Sequence, residues 1–163
     1  MRRFIVISVG LLIVVGLVAA VPQLAKADEG EGEPVTVLEP APGQVISLAQ
    51  NLEFFITWTR YPDVLWYQVR VYMPPDTDGT ERFIEHRFNP DTDNDWRREE
   101  PHLMFNTGLL PIDAECYVVV RPYGPSERML AEYTEDYMPT GLTMDYYVPL
   151  APPSEPVTFT VIP

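Results

Sequence analysis

The chain has 163 residues, 24 acidic and 11 basic, for a formal net charge of −13 at pH 7. An acidic excess of that size repels nucleic acid and anionic lipid, so neither is expected as a partner, whereas divalent cations and basic surfaces are compatible. A single cysteine, Cys116, excludes an intramolecular disulfide, so the fold has to be held by an apolar core.

In chain order, Arg2 and Arg3 precede Phe4–Val21, an apolar run without a charge, and Pro22–Ala27 ends in Ala25-Lys26-Ala27. Small residues flanking one position are what a signal peptidase cuts, so residues 1–27 are expected to direct export. Two outcomes fit: cleavage before Asp28, or retention as a membrane anchor helix, since the run just reaches the roughly 18 residues that a span requires. Either leaves the domain outside the cytoplasm, in the cell envelope or beyond it. Residues 28–34 alternate acid and glycine and read as a flexible linker. Loss of Arg2, Arg3 and Lys26 on cleavage makes the charge three units more negative and leaves no lysine.

From residue 35 the apolar period is two, the spacing of half-buried strands. Leu52, Phe54, Ile56 and Trp58 share one face of 52–59, with Phe55 the apolar exception on the other. Over 65–71, Leu65, Tyr67, Val69 and Val71 oppose Trp66, Gln68 and Arg70. Cys116–Val120 is continuously apolar, as a central strand is, and 157–161 alternates cleanly. Weaker strands are expected at 35–38, 45–48, 82–88 and 102–107, and a short helix at 126–134 with Ser126 as its cap. None of the 18 prolines precedes Pro22, and their spread between apolar runs suits turns and sheet edges rather than helices. Seven to eight short antiparallel strands with turns between them predict an all-β sandwich.

The order of motifs resembles the bacterial fibronectin type III-like modules of the immunoglobulin-like class. Pro40-Ala41-Pro42-Gly43-Gln44-Val45 is similar to their opening turn, Phe54–Trp58 to a second strand carrying Trp, Tyr67–Val71 to a third carrying Tyr, and Ser154–Thr160 to the last strand. Leu109–Val119 resembles the region of the tyrosine corner, although Tyr117 follows Pro111 at a longer interval than usual, which places Cys116 rather than Tyr117 inward. The resemblance covers 35–163 except for a long segment at about 122–154, where the family has a short loop. It implies a binding or structural module.

Three serines, two histidines and Cys116 follow the linker, in no pattern that sets a nucleophile beside a base, and no phosphate loop occurs. The expectation is a protein without catalytic function and without a resident cofactor. Asp91-Thr92-Asp93-Asn94-Asp95 alternates carboxylates as the first half of a calcium loop does. Trp96 and His102 then stand where such a loop wants Gly and Glu, so Asp91, Asp93 and Asp95 are either calcium ligands or an Asx-rich turn. The 122–154 segment is rich in Tyr and Met: Tyr123, Tyr133, Tyr137, Tyr146 and Tyr147, with Met129, Met138 and Met144. Such residues make adaptable interfaces, and equally a hairpin folded back on the sandwich. Trp66, outward on its strand, is a candidate sugar-stacking residue. The expected function is an exported interaction module of the envelope working through 122–154; an accessory carbohydrate-binding module and a membrane-anchored subunit of an envelope complex are the alternatives.

Overall fold

The computed structural model describes residues 30–93, 99–132 and 144–163. Residues 1–27, expected to form an export segment or anchor helix, together with Asp95, Tyr133, Tyr137 and Met138, lie outside the described residues. Among the described residues nine strands form: β1 (Val37–Glu39), β2 (Gln44–Ser47), β3 (Glu53–Trp58), β4 (Trp66–Met73), β5 (Arg82–Phe88), β6 (His102–Asn106), β7 (Ala114–Pro125), β8 (Tyr147–Pro149) and β9 (Val157–Ile162). One helix, α1 (Glu127–Glu132), follows β7, and Ser126 caps it by accepting the Met129 N–H at 3.1 Å.

β1, β3 and β6 make a three-stranded sheet; β2, β9, β7, β4 and β5, with β8 against the end of β7, make a six-stranded one. The sheets share one core, an arrangement consistent with a β-sandwich. Ile56, Trp58 and Phe105 come from the small sheet, and Tyr67, Val69, Val71, Cys116, Val118, Val120 and Phe159 from the large one. Rings lock the two layers: Phe54 lies 5.3 Å from Phe159, and Trp58 lies 5.3 Å from Tyr67 and 5.2 Å from Phe88.

The strands depart from expectation in three places. Leu52 is 75 % exposed, because β3 begins only at Glu53 and Leu52 sits in the bend before it. β2 pairs with β9 in parallel, so the ladder is not wholly antiparallel. The turn at Pro42-Gly43 explains this: Gly43, at φ +73°, carries the chain from the small sheet to the large one and donates its N–H to Thr158 O at 2.7 Å. β7 runs well past Val120, through Pro122 to Pro125, and β8 pairs with that extension, Tyr123 opposite Pro149 and Pro125 opposite Tyr147. In keeping with the shifted corner spacing, Cys116 faces inward and Tyr117 lies on the outer face, stacked on Tyr72 at 4.6 Å. The link between β6 and β7 is fastened by Thr107, fully buried. Its N–H donates to Leu52 O at 3.0 Å, and its hydroxyl reaches Leu52 O at 2.7 Å and Asn51 O at 3.0 Å.

The acidic linker is not loose where it is described. Gly32 N–H donates to Leu150 O at 3.1 Å, and the Tyr61 hydroxyl donates to the same carbonyl at 3.2 Å. A Cβ on Gly30 would fall 2.3 Å from the backbone carbon of Leu150, so the approach needs glycine there. Gly30→Ala is therefore expected to lift residues 30–33 off the domain while costing under about 1 kcal/mol of global stability, since few contacts are lost. Limited proteolysis would then cut near residue 33 with the domain's melting unchanged; an uncut tether would contradict the docking.

Candidate functional site

Along the outer face of the large sheet, cross-strand partners form rows. Trp66 stands opposite Tyr123, Gln68 opposite Arg121 and Arg87, Arg70 opposite Val119 and Glu85, and Tyr72 opposite Tyr117 and Phe83. The face is outward, as the alternation of β4 predicts, yet it is covered. Trp66 is only 7 % exposed: Tyr123 stacks on its ring at 4.3 Å, Tyr147 meets it edge-on at 5.8 Å, and the Arg87 guanidinium lies 5.0 Å from its centroid. Tyr72 is buried as well. Trp66 is thus a scaffold for the groups around it rather than an open stacking platform.

An open pocket of about 320 Å³ forms at this end of the sheet, lined by Leu65, Trp66, Arg87, Asn89, Asp91, Met129 and Tyr147. It draws on four separated stretches: the start of β4, the turn after β5, α1 and β8. The described parts of the 122–154 segment therefore lie against this end of the sheet and contribute Met129 and Tyr147 to a shared rim with the acidic turn. Tyr146, nearly buried, ties the segment together. Its hydroxyl donates to Glu132 Oε2 at 2.6 Å, Arg128 Nε donates to Glu132 Oε1 at 3.0 Å, and the Arg128 guanidinium lies 4.6 Å from the Tyr146 ring. These two donors, the Tyr146 hydroxyl first, hold the Glu132 carboxyl below its ordinary range. Arg87 donates to Met144 Sδ at 3.4 Å and has no carboxylate within 4.0 Å among the described residues. An arginine in this state, in so acidic a chain, is available to an anionic group on a partner.

The acidic turn shapes itself. Asp93 takes the Asn89 N–H on Oδ2 at 2.8 Å and the Thr92 hydroxyl on Oδ1 at 3.0 Å, while Asn89 Oδ1 takes the Asp91 N–H at 2.9 Å. Asp91 lines the pocket, and Asp95 is outside the described residues. Among the described residues no group of three or more His, Cys, Asp or Glu side chains comes together as a metal would require. The second acidic turn, Asp76–Gly79, closes the β4–β5 hairpin, with Asp78 Oδ1 accepting the Thr80 N–H at 2.9 Å.

The hydroxyl and thiol groups have structural work. Ser154 Oγ accepts the Val120 N–H at 3.0 Å, Ser126 caps α1, and Ser47 Oγ donates to Pro163 O at 3.1 Å. Cys116 is fully buried, and desolvation pushes its thiol above the ordinary range. Burial does the same to the Tyr67 hydroxyl, which accepts the Tyr61 N–H at 2.8 Å. Both groups hold their protons more tightly folded than unfolded, so their contribution is complete below the unfolded-state pKa. It is lost as pH rises through the folded-state pKa. Stability is expected to fall from roughly pH 9 upward, where the unfolded thiol ionises. Cys116→Val should blunt the first part of that fall in urea titrations, and an identical alkaline slope would remove Cys116 as its source.

No protein-family model and no curated protein matches the chain.

Proposed function

We propose that the chain is an exported, non-catalytic interaction module on a fibronectin type III-like sandwich, engaging an envelope partner through the 122–154 segment at the end of the large sheet where Met129 and Tyr147 lie. One observation carries the reading. Separated stretches with otherwise unrelated sequences converge there on a single rim, with Arg87 left without a carboxylate partner above Trp66. The strand order supports the fold assignment. The first, third and sixth strands form one sheet, and the fourth and fifth join the seventh and ninth in the other, as immunoglobulin-like sandwiches divide theirs. The non-catalytic reading is supported by the structural employment of Ser47, Ser126, Ser154 and Cys116. The burial of Trp66 under Tyr123 and Arg87 weighs against sugar stacking there.

The test is site-specific photo-crosslinking in cells that produce the full chain. A photoreactive residue at Met129 is expected to give a discrete envelope adduct that one at Thr77, at the opposite end of the sheet, does not. Equal adducts from both positions, or none from Met129, would overturn the assignment.

A further inference from the structure

The large sheet ends in β5, and among the described residues nothing pairs with its outer edge. Other edges are protected by shortness or irregularity: β1 has three residues and a register shift, β2 four residues, β6 five. β5 is different. Its seven residues, Arg82–Phe88, pair one-for-one with β4 without a bulge, and they include no proline, glycine or lysine. A straight edge of that length is a template for another strand.

The residues on β5 specify which strand. Phe83, Glu85 and Arg87 oppose Tyr72, Arg70 and Gln68 and so face outward, while Ile84, His86 and Phe88 oppose Val71, Val69 and Tyr67 on the core side. Glu85 uses Oε2 alone, for Arg70 Nε at 2.9 Å and Gln68 Nε2 at 3.0 Å, which leaves Oε1 without a partner among the described residues. Arg87, two positions on, has no carboxylate within 4.0 Å. Opposite charges at adjacent outward positions of one strand are self-complementary when the strand meets itself antiparallel.

We propose that β5 pairs with β5 of a second copy of this chain about a two-fold axis at His86, joining the two large sheets edge to edge. In this register Glu85 faces the copy's Arg87, and Arg87 faces the copy's Glu85. Ile84 meets the copy's Phe88, and the two His86 residues meet on the axis. Shifting the axis to Glu85 instead sets the two Glu85 carboxylates against each other, which like-charge repulsion opposes. The interface is isologous and closes at two copies. It rests on β5 and does not depend on the partner proposed above; both draw on the Arg87 guanidinium, so dimerisation and capture of a partner's anionic group at Arg87 exclude each other.

The test is sedimentation velocity on the full chain in neutral detergent, with micelles in excess so that the N-terminal segments are not shared. The native chain is expected to dimerise. Arg87→Glu and Glu85→Arg should each dimerise at least roughly tenfold more weakly alone, because each sets like charges opposite. An equimolar mixture of the two should associate at least as tightly as the native chain, since every pair is then opposite in sign. A native chain that stays monomeric, single variants that dimerise as tightly as the native chain, or a mixture that does not recover would each overturn the proposal. Should Glu85→Arg fail to fold without its Arg70 pairing, His86→Cys decides: mild oxidation should link it to its copy, while Phe83→Cys, off the axis, should remain unlinked. The reverse pattern defeats the register. Cys116, fully buried, does not interfere.

Discussion

Trp58→Ala is expected to cost about 3–5 kcal/mol, a large part of the roughly 5–15 kcal/mol that keeps a domain folded. Trp58 is fully buried, and its ring meets Tyr67 at 5.3 Å and Phe88 at 5.2 Å, both edge-on. It is the point at which β3 of the small sheet touches β4 and β5 of the large one. Truncation opens a cavity between layers that cannot close, because both flanking strands are held in register along their length. Urea denaturation followed by far-ultraviolet circular dichroism measures it, with Met104→Ala, on the exposed outer face, as a control expected within about 0.5 kcal/mol of native. Similar midpoints for the two variants would mean that the layers do not depend on this ring.

Thr107→Val should be the next most damaging single change, at about 1–3 kcal/mol despite conserving shape. The threonine hydroxyl serves the Leu52 and Asn51 carbonyls from a site with no solvent access. Valine fills the same space and offers no donor, which leaves part of the acceptor capacity of the bend before β3 unmet inside the protein. Thr107→Ser, retaining the hydroxyl, should recover most of the loss. If serine and valine are equally destabilising, the methyl packing and not the hydrogen bond fastens this link.

The parts of the fold that could be read from the sequence are those in which one face is buried and the other is wet. β4 and β9 alternate cleanly, and their inward residues Tyr67, Val69, Val71, Phe159 and Val161 are in the core. β5 forms where its weaker alternation placed it, and Ser126 caps α1. The opaque parts depend on what neighbours supply. Proline at 122 and 125 argues against a strand, yet Pro122 O still accepts the Leu150 N–H at 3.0 Å and the segment stays paired. Trp66 alternates outward, and only the tertiary fold reveals that Tyr123, Tyr147 and Arg87 cover it. Glycines at 30 and 32 carry the composition of a flexible linker, but they sit against Leu150 because a backbone without Cβ is the one that fits. Of the candidate site, Tyr123, Tyr147, Trp66 and Asp91 gather at one end; nothing in their spacing announced Arg87 as the group that joins them.

The parallel pairing of β2 with β9 has a mechanical meaning. Gln44 lies opposite Phe159 and Ser47 opposite Ile162, so the second strand and the last one run side by side in the same direction. Tension drawn through the two ends pulls these strands past each other along their length. Their hydrogen bonds are then loaded together in shear, rather than opened one at a time as in a hairpin pulled from its mouth. A chain held at one end and tugged at the other first strains the contact of Gly32 with Leu150 and the ladder of β1 with β3, and then loads this seam as a unit.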